Sequence, residues 1–253
     1  MHVTLDWMAL FTAPGRVWLQ AGLLTTLAVT IVAGLLASAL AIVLVGLRVQ
    51  GGWLRWPAVA VISVFRNTPL LVQLFFWYFA AWAALPRAVK IWVNADHPWL
   101  TLPMGISLMT PEFLSAAWGL AVFSAAFMAE EVRAGLAAVP KGQTEAALAQ
   151  GFGRLQLLRY VLLPQGLANA WQPLVGQYLN LMKLSSLASA IGLAEITYAA
   201  RQIESYNAHA LEAFAAATVL YLLIGAAMSR LLLAVGPRRP RRTEAAVAAQ
   251  VMA

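Results

Sequence analysis

From Val17 to Leu47 the chain runs for 31 residues without a single formal charge. About 20 such residues suffice to carry a helix across a bilayer. A soluble fold has no use for a helix this long and this apolar, so the stretch commits the protein to a membrane. Composition agrees. The 253 residues are 62% hydrophobic and only 11% charged, where a soluble domain is about 25% charged. The N-terminus lacks the basic region of a cleaved signal, and the run is too long for a signal core. There is no cysteine, which excludes disulfides and thiolate metal sites. His2, His97 and His209 are scattered without ligand spacing.

An all-α integral membrane protein follows, with five crossings expected at about Val17–Leu47, Pro57–Leu85, Phe113–Ala138, Leu167–Ile191 and Ala213–Val235. Charge placement sets their direction. One side collects Arg48, Arg55, Arg133, Lys141, Arg154 and Arg159, then Arg230, Arg238, Arg239, Arg241 and Arg242. The other mixes Arg16, Arg87, Lys90 and Arg201 with Asp6, Asp96, Glu112, Glu195, Glu204 and Glu212. The positive-inside bias puts the N-terminus outside and the C-terminus inside, as an odd number of crossings requires. The net charge of +7 is thereby a matter of topology, and no nucleic-acid partner is expected. Residues 1–16 form an external segment, 17–235 a single transmembrane domain, and 236–253 a basic cytoplasmic tail expected to be disordered and to sit on anionic lipid headgroups. The stretch Pro86–Pro111 reads as an external loop, with prolines and the polar Asn94-Ala95-Asp96-His97 segment. It is either a solvated connection or a contact for an external partner. No internal repeat is visible.

A half-polar island, residues 141–164, interrupts the apolar pattern. Pro140 and Gly142 break the third crossing. Gln143–Gln150 is expected to form two helical turns, ended by positive φ at Gly151 or Gly153. A second short helix, Arg154–Leu163, carries Leu155, Leu158 and Leu162 at helical spacing, with Pro164 as its limit. Two short helices around a glycine corner make a compact knob. Ala146 and Ala147 are small enough to let another protein approach, and Glu145 suits a helix start or a basic groove. Unaided, these features also fit an ordinary amphipathic helix pair on the surface.

The spacing Glu145-Ala146-Ala147, Gly151, Leu163-Pro164 resembles the cytoplasmic coupling loop of permease subunits of bacterial ABC importers. From about residue 57 to 235 the chain resembles permeases of the polar amino-acid uptake family. The likeness rests on FRNTPLLVQLFFWY (Phe65–Tyr78), AEEVRAGLAAVPKGQ (Ala129–Gln143), EAALAQG, VLLPQ and LASAIGLAEIT (Leu187–Thr197). The stretches Phe65–Pro69 and Glu130–Arg133 are most similar to the glutamate/aspartate subgroup. Leu184, where relatives commonly carry Asp or Asn, and Asn67, where many carry Gly, depart from the pattern. The resemblance implies a type I importer permease fold in the bacterial cytoplasmic membrane. It also implies a dimer of ATPases, a second permease subunit (identical or not) and an extracytoplasmic amino-acid-binding protein. Glu145, Ala146, Ala147, Gly151, Leu163 and Pro164 would form the ATPase contact. The sequence contains no Gly-x-x-x-x-Gly-Lys-Ser/Thr loop. ATP and magnesium are therefore expected on the partner, with no cofactor or metal bound by this chain and no enzymatic activity of its own.

Pathway candidates are Arg66, Asn67, Thr68, Pro69, Glu130, Lys183, Ser185 and Ser186. Ten residues beyond the interfacial Trp56, Arg66 lies ~15 Å along a helix, near the middle of a ~30 Å layer. A guanidinium there costs roughly 2.5–3.5 kcal/mol, so it faces a cavity, pairs with Glu130 or Glu131, or snorkels. A substrate carboxylate would be a fitting bidentate partner. Pro69 cannot donate to the Phe65 carbonyl, and the resulting bend frees backbone groups beside Asn67 and Thr68, for a zwitterion or simply for packing. Lys183 inside the fourth crossing, followed by Ser185 and Ser186, is a pathway group or part of a subunit interface. Glu130 meets a substrate amine or pairs with Arg133. Gly34 and Ser38 suit close helix packing. The function expected is ATP-driven import of a polar amino acid, glutamate or aspartate first. An integral-membrane enzyme would need a catalytic cluster that the sequence does not offer. A stand-alone secondary transporter would have more helices and inverted repeats.

Overall fold

The structure, a computed structural model, describes residues 6–237 apart from residues 12 and 51. The Arg238–Arg242 cluster and nearly all of the tail expected at 236–253 lie outside them. The described chain is helical almost throughout: α1 (Ala13–Gln50), α2 (Arg55–Asn67), α3 (Leu70–Ala84), α4 (Arg87–Val93) and α5 (Pro111–Ala137). There follow α6 (Lys141–Ala149), α7 (Arg154–Ile191), α8 (Ile196–Asn207) and α9 (Ala210–Val235). Three of these, α1, α5 and α9, are each long and apolar enough to cross a membrane unbroken. A count of five is reached only if two bent pairs are each taken as one crossing: Gly52–Asn67 with Leu70–Ala84, bent by 107°, and Arg154–Ile191 with Ile196–Asn207, bent by 47°.

The core lies where α1, α5 and α7 cross. Val29, Ala33, Ala37 and Ala41 recur every four residues along α1 and are buried, while Ile31, Leu35, Ile42 and Val43 are exposed. They face Ala117, Ala121, Ala125 and Ala129 of α5 within one cluster. Lipid supplies no hydrophobic drive for helices to associate, so small residues that let backbones approach do the packing, and large apolar ones turn outward. Gly34 and Ser38 belong to this logic. A Cβ at Gly34 would sit 3.6 Å from the Tyr178 ring, and Ser38 Oγ lies 2.6 Å from Tyr178 Oη.

Contacts sort the chain into two ends. Arg48 pairs with Glu130, Gly135 touches Gly166, and Trp171 Nε1 donates to Leu232 O at 3.1 Å. All of these lie at the end that carries the 141–164 segment. At the opposite end Asp6 N–H donates to Glu212 at 2.8 Å, and Gly22 and Thr26 meet the start of α8. This is the grouping that the charges gave.

The structure corrects three sequence expectations. The stretch 57–85 is not one kinked helix. Thr68 and Pro69 are both extended (ψ 138° and 133°), because a residue before proline avoids the helical region and proline cannot close the turn. Pro164 does not end a short helix. Leu158–Leu162 form a widened turn, with Leu163 N–H donating back to Leu158 O, and the helix runs on past the ring; such bulges absorb local misfit in hydrogen-bond register. Pro86–Pro111 is more than a loop. It holds α4 and a two-residue antiparallel ladder, Thr101–Leu102 against Ile106–Ser107. His97 is buried there between Trp92 and Trp99.

A very close backbone approach joins α5 to α7. A Cβ on Gly135 would lie 2.4 Å from Gly166 O, and one on Gly166 would lie 2.5 Å from the Leu136 side chain. Gly135→Ala is therefore expected to destabilise the protein by about 1–3 kcal/mol through overpacking, read as a lowered midpoint of thermal unfolding in detergent. Gly176→Ala, where nothing lies within 4 Å, should be neutral or stabilising.

Candidate functional site

The α2–α3 corner is finished by its own side chains. With Pro69 unable to donate, the carbonyls of the last turn of α2 need other partners. Asn67 Nδ2 donates to Ser63 O at 2.8 Å and Thr68 Oγ1 to Val64 O at 2.9 Å. Gln73 Nε2, reaching back from α3, donates to Phe65 O at 3.0 Å and to the Thr68 hydroxyl at 2.7 Å. Phe65 O is the oxygen orphaned by the proline, and it is not left open. Asn67 and Thr68 themselves remain exposed, as do Arg66 and Pro69.

Arg66 pairs with neither Glu130 nor Glu131. Its guanidinium lies over the Phe127 ring, 5.2 Å from the centroid, a cation–π arrangement. Glu130 is held by two other arginines, Arg48 and Arg133, the latter at 2.8 Å. Glu131 accepts instead from Gln177 Nε2 at 3.3 Å. Between α2 and α5 these groups enclose an open cavity of about 280 Å³, lined by Arg48, Ser63, Arg66, Asn67, Phe127 and Glu130 among others. It combines two guanidinium groups and one carboxylate with hydroxyl and amide donors.

Lys183, Ser185 and Ser186 are not among its lining residues. Lys183 is exposed and forms no ion pair among the described residues. Ser185 Oγ and Ser186 Oγ donate to the carbonyls three residues back, Met182 and Lys183, at 2.7 and 2.8 Å. These bonds tighten the end of α7 into a 3-10 turn before Gly192, which has φ +91°.

The 141–164 segment is a knob. α6 ends in a Schellman closure: Phe152 N–H donates to Ala147 O at 3.1 Å and Gly151 N–H to Leu148 O at 3.0 Å, with Gly151 at φ +83°. That left-handed conformation is where a side chain would be strained; Gly153 is extended. Glu145, Ala146 and Gly151 are exposed, whereas Ala147 is buried under the knob's own fold. Leu163 and Pro164 lie within α7 as it leaves the knob. Only Ala138-Val139-Pro140 separates α6 from α5. The knob is therefore joined by a three-residue turn, extended at Pro140, to the helix that carries Glu130.

Sequence reasoning missed Gln73, Arg48, Phe127 and the Gly135–Gly166 contact. Gln73 follows Pro69 by one turn, the position from which a side chain can replace the lost donor. Glu195, grouped by its charge with the outer side, is fully buried. It caps α8 by accepting from Thr197 and Tyr198 N–H at 2.9 and 2.8 Å, with Tyr221 Oη also donating to it. No cluster of metal-ligating side chains occurs among the described residues.

The family model described as binding-protein-dependent transport system inner membrane component matches residues 30–241. The chain belongs to this family. It is thus a membrane permease component of a binding-protein-dependent transport system. Over 210 residues it is 36% identical to the glutamate/aspartate import permease protein GltJ of Escherichia coli K12, covering 83% of this chain and 82% of GltJ. Over 187 residues it is 34% identical to the glutamine transport system permease protein GlnP of the same strain, covering 73% and 76%. Among solved structures, a crystal structure of an amino acid ABC transporter with histidines superposes with a TM-score of 0.73 at 26% identity, over 91% of this chain and 97% of that one. An inward-facing form of the MetNI methionine ABC transporter matches in fold, with a TM-score of 0.64 at 23% identity, over 89% of this chain and all of that one.

Within this permease, the Arg48–Glu130 pair fastens α1 to α5 at the rim of the cavity. A double-mutant cycle with Arg48→Met and Glu130→Gln is expected to give a coupling energy of about 1–2 kcal/mol in detergent-solubilised protein, within the range for contacting charged residues. A value near zero would make the pair incidental.

Proposed function

We propose that this chain is the membrane-spanning subunit of an ATP-driven importer of a polar amino acid, with glutamate and aspartate as first candidates. The observation that carries the reading is the continuity between knob and cavity: α6 and its Gly151 corner are joined to the helix that holds Glu130. A separate ATPase pair would grip the knob through Glu145, Ala146 and Gly151, with Ala147, Leu163 and Pro164 shaping it from within. Closure of that pair on ATP would swing α5 and α7 together and rock the permease between inward- and outward-facing states. The positive-inside bias directs the knob and the C-terminus to the cytoplasm and the N-terminus outward.

In the cavity, Arg66 has a guanidinium with no anionic partner among the described residues to offer a carboxylate, while Arg48 and Glu130, paired with each other, would have to part to meet a second carboxylate and an ammonium. A dicarboxylic amino acid presents those charges in that ratio, and guanidinium forks suit carboxylates in particular. Asn67 and Thr68 present their remaining polar atoms at the same corner, where Pro69 turns the chain. Lys183, exposed near the end of α7, would reach toward a second permease subunit, while the buried Ser185 and Ser186 would hold the turn behind it. An external binding protein would deliver the substrate at the end that holds Glu195 and Glu212.

Glu145→Ala and Gly151→Val should each lower uptake of labelled amino acid by tenfold or more in reconstituted vesicles. Permease abundance in the membrane should stay unchanged and ATP hydrolysis should no longer respond to substrate. Normal uptake by both variants would remove the knob from the mechanism. Arg66→Ala should raise the half-saturation concentration or abolish transport of acidic amino acids, and unchanged affinity and rate would take Arg66 out of the pathway.

A further inference from the structure

A long apolar groove runs along the outside of the bundle between α1 and α9, and none of the machinery above uses it. It consists of two adjoining hollows of about 430 and 730 Å³ that meet at Leu23 and Leu220, which line both. Its α1 wall is a single stripe: Arg16, Gln20, Leu23, Leu27, Ile31 and Gly34, residues three or four apart that stack on one helical face. Its α9 wall is apolar, with Val219, Leu223, Ala227 and Leu231. At the far end Ser38 and Tyr178 close it, bonded to each other. The stripe changes character along its length. A cation and an amide stand at one end, beside the half-exposed Trp7, and hydrocarbon follows. Arg16 is exposed and forms no ion pair among the described residues.

We infer that this groove is a binding site for an anionic phospholipid. The sequence of polarities along the stripe is that of the lipid itself. Arg16 meets the phosphate, its apolar stem lying along the groove as a snorkelling side chain does. Gln20, one turn or ~6 Å further in, stands where the ester carbonyls lie. From Leu23 to Ser38 the groove runs ~22 Å along the helix, longer than one leaflet ~15 Å deep, so an acyl chain occupies its first part, to about Ile31–Leu35. Trp7 at the mouth is the residue type that favours the headgroup level. A second protein helix would need no cation and amide at the groove's mouth. The unpaired guanidinium is the charge complement that selects a lipid headgroup, and a negative one over a neutral one.

The chain has no cysteine, so within it a label attaches only at the introduced position, and it is labelled before assembly with its partners. The test uses the assembled transporter reconstituted in nanodiscs of phosphatidylcholine, with a fluorescent label on Leu35→Cys beside the groove or on Val43→Cys away from it. Phosphatidylglycerol or phosphatidylcholine carrying a nitroxide on its acyl chain serves as quencher. At equal mole fraction, phosphatidylglycerol should quench the Leu35 label at least threefold more strongly than phosphatidylcholine, with no such preference at position 43. Arg16→Ala should abolish the preference, and Leu223→Trp, which fills the groove, should lower quenching of the Leu35 label by both lipids. Equal quenching by the two lipids at position 35 would overturn the proposal. So would a disulfide or crosslink joining Leu35→Cys to another subunit, which would make the groove a protein interface.

Discussion

Wherever a helix is interrupted inside an apolar layer, the backbone groups it leaves behind must be met by the chain itself, because lipid tails offer neither donor nor acceptor. This constraint explains the most unusual parts of the molecule. At the α2–α3 corner, Gln73 takes the Phe65 carbonyl that Pro69 orphans, and Asn67 and Thr68 bond back to Ser63 O and Val64 O. At the start of α8, Glu195 takes two free N–H groups, and Thr26 Oγ1 takes a third, from Ile196, at 3.3 Å. At the end of α7, Ser185, Ser186 and Ser189 bond back to their own turns. Polar residues in these stretches are first of all helix terminators, and those left partly exposed are the ones available to a solute.

The breaks matter because they are where the bundle can bend without unfolding. The unbroken parts carry motion as rigid pieces. α5 is such a piece, joined at one end to the knob through three residues and pinned to α7 where Gly135 and Gly166 bring two backbones into contact. In the proposed mechanism a displacement applied to the knob would reach the Glu130 wall of the cavity through these contacts, since close-packed interfaces shift as units and do not deform gradually.

The charges obey the same economy. Glu130 sits between Arg48 and Arg133, Arg66 rests on Phe127, and Glu131 is answered by Gln177. In a medium that penalises an isolated ion by several kcal/mol, each has found company. Arg66, whose partner is a ring face, is the member of the group left without an anion among the described residues. Arg16, outside the bundle, is open to the bilayer itself.

How much of this could be read from residue order alone depends on the range of the interaction. The apolar runs, the two charge-sorted ends, the Gly151 corner and the family resemblance were all legible, because each is written in neighbouring residues or in a short fixed spacing. The polar service of Gln73 to Phe65, eight residues away, lay at the edge of legibility. The amphipathic Ile196-Ala199-Ala200-Ile203 stripe of α8 is equally local but lies between the apolar runs that mark the crossings. What tertiary structure alone decided were the contacts between distant segments: Arg48 with Glu130, Gly135 with Gly166, Ser38 with Tyr178, Glu195 with Tyr221. It also decided that Pro69 makes a full corner while Pro164 is passed over by a widened turn. A proline dictates a missing donor in either place, but whether the chain breaks or bulges depends on which neighbouring helices and side chains are at hand to complete its hydrogen bonds, and that is settled only when the bundle is packed.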